Sequence, residues 1–190
     1  MQDVRSRLIE ATFQEVFSKG YQAASLAHIL KRAEVKKGAM YHYFPSKKEM
    51  VLSMIDEKIK LRIENKWKAL ANTEENIIDS LISILEDINN WDLKNGCPLG
   101  NLLQESLDED EDFKKILTDI LDDWKELFSN ILQKAKDKNQ ITQTLDTKTC
   151  ATFLIASIEG ALLLSKKNDK AKDFEDTMKH LVSYINSFRI

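Results

Sequence analysis

With 190 residues, 43% of them hydrophobic and 31% charged, the chain is long enough to bury one substantial core and too polar for a membrane protein of many spans. Five glycines and two prolines supply too few turns for a sandwich, a barrel or a doubly wound sheet, which leaves an all-α fold. The net charge of −3 hides an asymmetry: residues 1–50 carry nine Lys/Arg against five Asp/Glu, or +4, and residues 51–190 carry 19 against 26, or −7. A basic head on an acidic body suits a chain that meets a polyanion with one end only.

The first apolar stripe, Val4, Leu8, Ile9, Phe13, Val16 and Phe17, predicts a helix from Val4 to Ser18 that stops at Gly20. Ser25 is placed to cap a short helix through Leu26, Ile29, Leu30 and Ala33, and a break at Glu34-Val35 precedes a second short helix from Lys37 to Phe44. Two short helices so spaced are a helix-turn-helix candidate. Ser46, with Glu49 at the third helical position, caps a long helix that should reach Ala71.

Farther along, periodicity predicts helices from Glu74 to Trp91 and from Pro98 to Leu107. A long helix follows, opening on the acids Asp108 to Asp112, and two more run from Thr147 to Lys166 and from Lys170 to Phe188. Nine helices result, divided into a head of residues 1–46 and a larger helical body of residues 47–190. No apolar run approaches the roughly 18 to 20 residues of a membrane span, and Gln2, Asp3 and Arg5 do not form a secretory core, so no membrane and a cytoplasmic location are expected. Cys97 and Cys150 stand apart from any C-x-x-C spacing. His28, His42 and His180 are scattered, and the Asp108–Asp112 run lacks a calcium loop's glycine, so neither metal nor cofactor is expected. With no nucleophile elbow or phosphate loop, the chain does not read as an enzyme.

The chemistry concentrates in the short-helix pair. Met40 and Phe44, four apart, should face the core, which leaves Lys37, Ala39, Tyr41 and His42 toward a groove. Lys36 and Lys37 sit at a helix start that favours anions, and Gly38 permits close approach of a backbone or partner helix. The stretch from Gly20 to Met50, with Gly38, Tyr41, Phe44 and Lys47 as its core pattern, resembles the DNA-binding head of the TetR family of bacterial transcriptional repressors. That resemblance implies DNA contacts by Tyr41, His42, Tyr43 and Lys47, and the residue pattern of the head adds Ser25, Lys36, Lys37, Gly38 and Ala39 as candidates. The resemblance also implies a homodimer through the last two helices, a palindromic double-stranded operator, and release by a small-molecule or electrophile inducer held in the body. Many members have Ser or Thr where Lys36 stands, a lost cap worth about 1 kcal/mol.

For the inducer, Trp67, Trp91, Trp124, Phe128 and Phe153 fall on apolar stripes and are candidate pocket walls. The segment Gly96-Cys97-Pro98-Leu99-Gly100-Asn101 resembles the G-C-x-x-G-N stretch of a TetR subgroup that includes electrophile-responsive repressors. Cys97 then reads either as a sensor thiol, activated by a helix start and Lys94, or as a structural or pocket-lining residue where two glycines turn the chain, with Asn101 a candidate ligand contact beside it. Cys150, on an apolar helix, should be inert.

Overall fold

The computed structural model describes residues 3–106, 110–168 and 171–190, and among them it holds nine helices and no strand. They are α1 (Val4–Lys19), α2 (Leu26–Ala33), α3 (Lys37–Tyr41) and α4, in which Lys47–Met54, a π-helical stretch Ile55–Lys60 and Leu61–Asn72 run on without a break. Then come α5 (Ile77–Glu86), a 3-10 turn Ile88–Asn90, α6 (Pro98–Ser106), α7 (Glu111–Asp137), α8 (Thr147–Asn168) and α9 (Ala171–Asn186). Two compact units divide the chain, Met1–Ile63 with Pro98–Ile120 and Glu64–Cys97 with Leu121–Ile190. The head therefore shares its unit with α6 and the first turns of α7.

In the first unit, the Asp3 carboxylate accepts the Ser6 N–H at 2.7 Å and starts α1, and the left-handed Gly20 (φ 84) ends it by donating its N–H to Val16 O at 2.7 Å. α1 packs on α2 and on the first turns of α4. Leu8, Ile29, Met40, Met50, Val51 and Met54 are fully buried there, each contributing about 1.5–3 kcal/mol. Ser25 stands at the cap of α2 but makes no side-chain cap bond. Its own N–H donates to Glu15 Oε1 at 3.4 Å, so a carboxylate from α1 holds the start of α2 without taking the bond expected of the hydroxyl.

Two helices differ from expectation. α3 ends at Tyr41 and not at Phe44, because the N–H groups of Tyr43 and Phe44 both turn onto Met40 O, at 2.9 Å each, and wrap Phe44 into the core. α4 extends as expected but widens into π geometry over Ile55–Lys60, where Ile55 and Ile59 are buried. Glu57 and Lys58, adjacent in this stretch, both pair with α1, Glu57 with Arg5 and Lys58 with Glu10 at 2.8 Å.

In the second unit, α5 begins three residues late because Asn76 adopts a left-handed conformation (φ 52). The Gln140 side chain then accepts the Ile78 N–H at 3.2 Å, and Asp87 breaks the helix by capping the 3-10 turn through Asn89. α5 packs on α9, and α9 along α8. The expectation of no membrane-length segment needs correction. Thr147–Lys166 is long and apolar enough to cross one by length and composition, with a mean hydropathy of 1.3, because its apolar residues outweigh Glu159 and the scattered Ser and Thr that interrupt the run. Asp108 lies outside the described residues.

Candidate nucleic-acid interface

The polarity of the head follows from α3. Met40 and Phe44 are buried, and Tyr41 (50% exposed), Tyr43 (47%), Lys36, Lys37, Gly38 and His42 all stand exposed. Half-exposed aromatic rings beside two lysines are an unusual surface for a soluble helix unless it meets a partner, and these groups suit phosphate and base edges. Lys37 Nζ lies 6.0 Å from the Tyr41 ring, which draws cation and aromatic together. Lys36 occupies the cap position of α3 and cannot cap it, as the missing Ser/Thr implied. Ala39 and Ser25 are half-buried. Of the two reasons for Gly38, close approach of a backbone or of a partner helix, the second fails: a Cβ built there meets nothing within 4 Å, so no neighbouring helix requires glycine.

Lys47 is held more firmly than sequence suggested. Its ammonium donates to Tyr21 O at 2.6 Å and lies 4.6 Å from the centroid of the Tyr21 ring. Burial pushes the Lys47 pKa down, opposed by the charges of Glu105 and Glu15. Tyr21 is fixed in turn: its ring stacks at a tilt on Phe113, 4.7 Å away, and the carboxylate of Glu105, near the end of α6, accepts the N–H groups of Tyr21 and Gln22 at 2.7 Å each. Glu105 thus organises the turn between α1 and α2 and, through Tyr21, the ammonium expected to meet DNA. Lys48, next along, pairs with Asp110 at 2.8 Å and Asp112 at 2.5 Å, hydrogen bonds that raise its pKa.

Glu15 is the second organiser. It is 2% exposed, and although burial opposes its charge, Lys19 (2.9 Å), the Ser25 N–H and His28 (3.2 Å) hold its carboxyl below the usual range. Neither Glu15 nor Glu105 was singled out from sequence. A glutamate on the apolar side of an amphipathic stripe was the available signal for the first, and a contact across 84 positions left no local signal for the second.

In the second unit the structure joins four of the five aromatic candidates. Trp67 meets Phe128 edge-on at 4.7 Å and Trp91 at 6.1 Å, Trp124 meets Phe128 at 6.1 Å, and Phe174, missed in the sequence, meets Trp91 at 5.4 Å. Phe153 is a correction. It projects from the other side of α8, exposed, against Tyr184 of α9 at 4.7 Å, because the helical period that buries Leu154 turns residue 153 outward. Asn101, on α6 and half-buried, belongs to the first unit.

Cys97 is half-buried at the end of a turn shaped by Gly96 (φ 76) and by Asp92, which accepts the Asn95 N–H at 2.9 Å. Its side chain hydrogen-bonds Glu159, whose carboxyl is pushed up by burial and drawn partly back by that bond. The thiol thus bonds a carboxyl, and Lys94, expected beside it, is exposed. Cys150 is buried, and burial pushes its thiol up to about 11. No group of three His, Cys, Asp or Glu among the described residues could hold a metal ion.

Comparison with known proteins agrees with this division of labour. Residues 8–54 match the model described as bacterial regulatory proteins, tetR family, and residues 75–181 match the tetracyclin repressor-like C-terminal domain. An HTH-type transcriptional regulator in the lacX 3′ region of Lactococcus lactis subsp. lactis is 32% identical over 173 residues, 87% of this chain and 85% of that one. The HTH-type transcriptional repressor NemR of Escherichia coli K12 is 25% identical over 187 residues, 96% and 94% of the two chains. The crystal structure of the reduced form of E. coli NemR shares the fold with a TM-score of 0.86 at 23% identity, covering 100% of this chain and 98% of that one. A TetR regulator from Chloroflexus aurantiacus J-10-FL gives 0.87 at 22% identity, covering 98% and 96%. The two models span both the exposed head and the helical body, and the chain belongs to the TetR family of transcriptional regulators.

Proposed function

We propose that the chain is a homodimeric repressor that reads an imperfect palindrome in double-stranded DNA and leaves it when a small molecule enters the helical body. The observation that carries this is the exposed face of Lys36, Lys37, Tyr41, His42 and Tyr43 over a buried Met40 and Phe44. Lys47, with ammonium donors left after Tyr21 O, is assigned a phosphate, and Gly38 and Ala39 the close approach of the DNA backbone. Ser25, half-buried at the start of α2, is assigned a phosphate as well. Operator binding places the protein with the chromosome, in the cytoplasm.

For the dimer, the supporting feature is an apolar outer flank on α8 and α9, where Phe153, Leu163, Leu164 and Tyr184 are exposed and a Cβ at Gly160 meets nothing. The opposite flank of α8, with Leu154 and Ile158, is buried. A helix already packed on one side and apolar on the other fits a partner copy better than a bilayer, and two-fold symmetry delivers two recognition helices to successive groove turns.

For the inducer, the ring cluster of the buried Trp67, Trp124 and Phe128 with the half-buried Trp91 supports a reversible ligand. A sensor role for Cys97 has less support, since its thiol engages the Glu159 carboxyl, a neighbour that does not favour thiolate. The test is a mobility-shift assay with the DNA flanking the protein's own gene. Binding by wild type and its loss in Tyr41→Ala are expected, and equal binding by both would remove the assignment of the head.

A further inference from the structure

Packing alone does not account for the tryptophans of the second unit. The chain has three, and Trp67, Trp91 and Trp124 all stand in one continuous run of rings that passes through Phe128 and Phe174. Trp67 is fully buried and Trp124 is 4% exposed. In each of the three the indole Nε1 is shut off from solvent with no hydrogen-bond partner, and among the described residues Glu159 Oε1, in the same unit, is the one other buried side-chain atom in that condition.

Buried donors are normally satisfied, and stranding one is costly. Phenylalanine would keep comparable ring contacts without a stranded N–H. Three indoles in one cluster therefore form a donor set that lacks its acceptors. Charge points the same way. Lys66 Nζ lies 3.3 Å from the centroid of the Trp91 ring and 5.8 Å from that of Trp67, and donates to Asn90 O at 2.6 Å. One face of Trp91 is already taken by an ammonium, so a second cation is repelled and an oxygen acceptor is attracted.

We infer that this cluster binds a flat conjugated molecule carrying oxygen acceptors, a carboxylate or nitro group among them, received by the indole N–H groups, and that it rejects amines and bare hydrocarbons. The inference rests on the reading of the second unit as the effector-holding part, and it assigns the chemical class that reading leaves open. The edge-on and tilted rings offer flat faces to a conjugated ligand, and the donors select for oxygen. Discrimination against a molecule of the same shape without acceptors follows because binding it would leave the donors stranded.

The test uses the full-length protein and four probes of similar size: benzoate, nitrobenzene, toluene and benzylamine. Nitrogen–proton correlation spectra give one indole signal per tryptophan, assigned with Trp67→Phe, Trp91→Phe and Trp124→Phe. Benzoate and nitrobenzene are expected to move indole proton signals downfield saturably, and toluene and benzylamine to leave them in place. Each Trp→Phe variant should bind benzoate about tenfold more weakly, the loss of one hydrogen bond. A signal change by toluene equal to that by nitrobenzene overturns the assigned class, as does the absence of any change with both acceptor probes. Operator binding is measured separately by mobility shift. If DNA is bound and no acceptor probe moves an indole, the ligand class falls and the regulator stands. If the acceptor probes bind and the operator is never released, the ligand class stands and the effector role falls.

Discussion

Gly20 and Glu105 fit only as a pair: a Cβ added at Gly20 would lie 2.6 Å from Glu105 Oε2 and 2.9 Å from Oε1. The same glycine holds φ 84 and ψ 167, a region that side-chain-bearing residues avoid at a cost of about 1–3 kcal/mol. Gly20→Ala should therefore both strain the turn and push the carboxylate off the Tyr21 and Gln22 N–H groups. Glu105→Gln, which keeps the shape and leaves one acceptor oxygen, should cost the head about 1 kcal/mol and weaken operator binding through Lys47. Chemical denaturation and operator titration of both variants measure this, and a Glu105→Gln protein with wild-type operator affinity contradicts the link from Glu105 to Lys47.

Tyr41→Ala and Lys37→Ala remove exposed groups, so stability should change by no more than about 0.5 kcal/mol. Operator binding should fall sharply, and in Lys37→Ala the slope of log affinity against log salt should flatten by about one per lysine lost at each half-site. Titrations at several salt concentrations decide it. An unchanged slope would show that Lys37 meets no phosphate.

Acid should weaken the first unit. The carboxyls of Glu10, Glu15 and Glu57 are all held below their ordinary value of 4.5. Lys58 and Gln14 do so at Glu10, Arg5 at Glu57, and at Glu15 Lys19, Ser25 and His28 overcome the opposing burial. A carboxyl with a lowered folded pKa binds its proton less readily in the folded chain than in the unfolded one. Its contribution is complete above the unfolded value and is lost as pH falls through the folded one. The urea midpoint should hold steady down to about pH 5 and drop below about pH 4, with a shallower drop in Glu15→Gln. A midpoint that rises on acidification would reverse the sign.

The two cysteines should react unequally. With its thiol near 11, Cys150 carries almost no thiolate at neutral pH, whereas Cys97 is only half-buried. One equivalent of N-ethylmaleimide should modify Cys97 alone, read by peptide mass mapping. Release of operator by that adduct in wild type, and its absence in Cys97→Ser, would favour the sensor role over the reversible ligand.

Leu163 and Leu164 stand about half exposed on the outer flank of α8. Replacing both with glutamate should split the dimer while leaving helicity intact, as light scattering and circular dichroism can show. Retention of a dimer would place the interface elsewhere.

Local chemistry was legible in the sequence wherever it is local in space. Gly20 as a helix stop, Ser46 receiving the Glu49 N–H at 3.1 Å, Pro98 as the first residue of α6 and the burial of Met40 with Phe44 all follow from neighbours within four positions. What sequence did not reveal depends on distant partners or on small backbone rotations. Glu105 works across 84 positions, the π turn at Ile55–Lys60 shows no breaker residue, and the left-handed Asn76 trims α5 although its neighbours favour helix. Phe153 was misplaced because stripes of α8 are apolar on both flanks, so periodicity alone cannot say which one faces in.

The grouping of Pro98–Ile120 with the head has a bearing on how the protein can be dissected. A fragment cut after α4 would contain every residue assigned to DNA and still lack four of the groups that hold the head in place. Tyr21 and Gln22 would lose Glu105, the Tyr21 ring would lose Phe113, and Lys48 would lose Asp110 and Asp112. A chimaera that transplants this operator specificity onto another body has to carry residues 98–120 along with the head, although in the chain they lie inside what the family pattern assigns to the other domain.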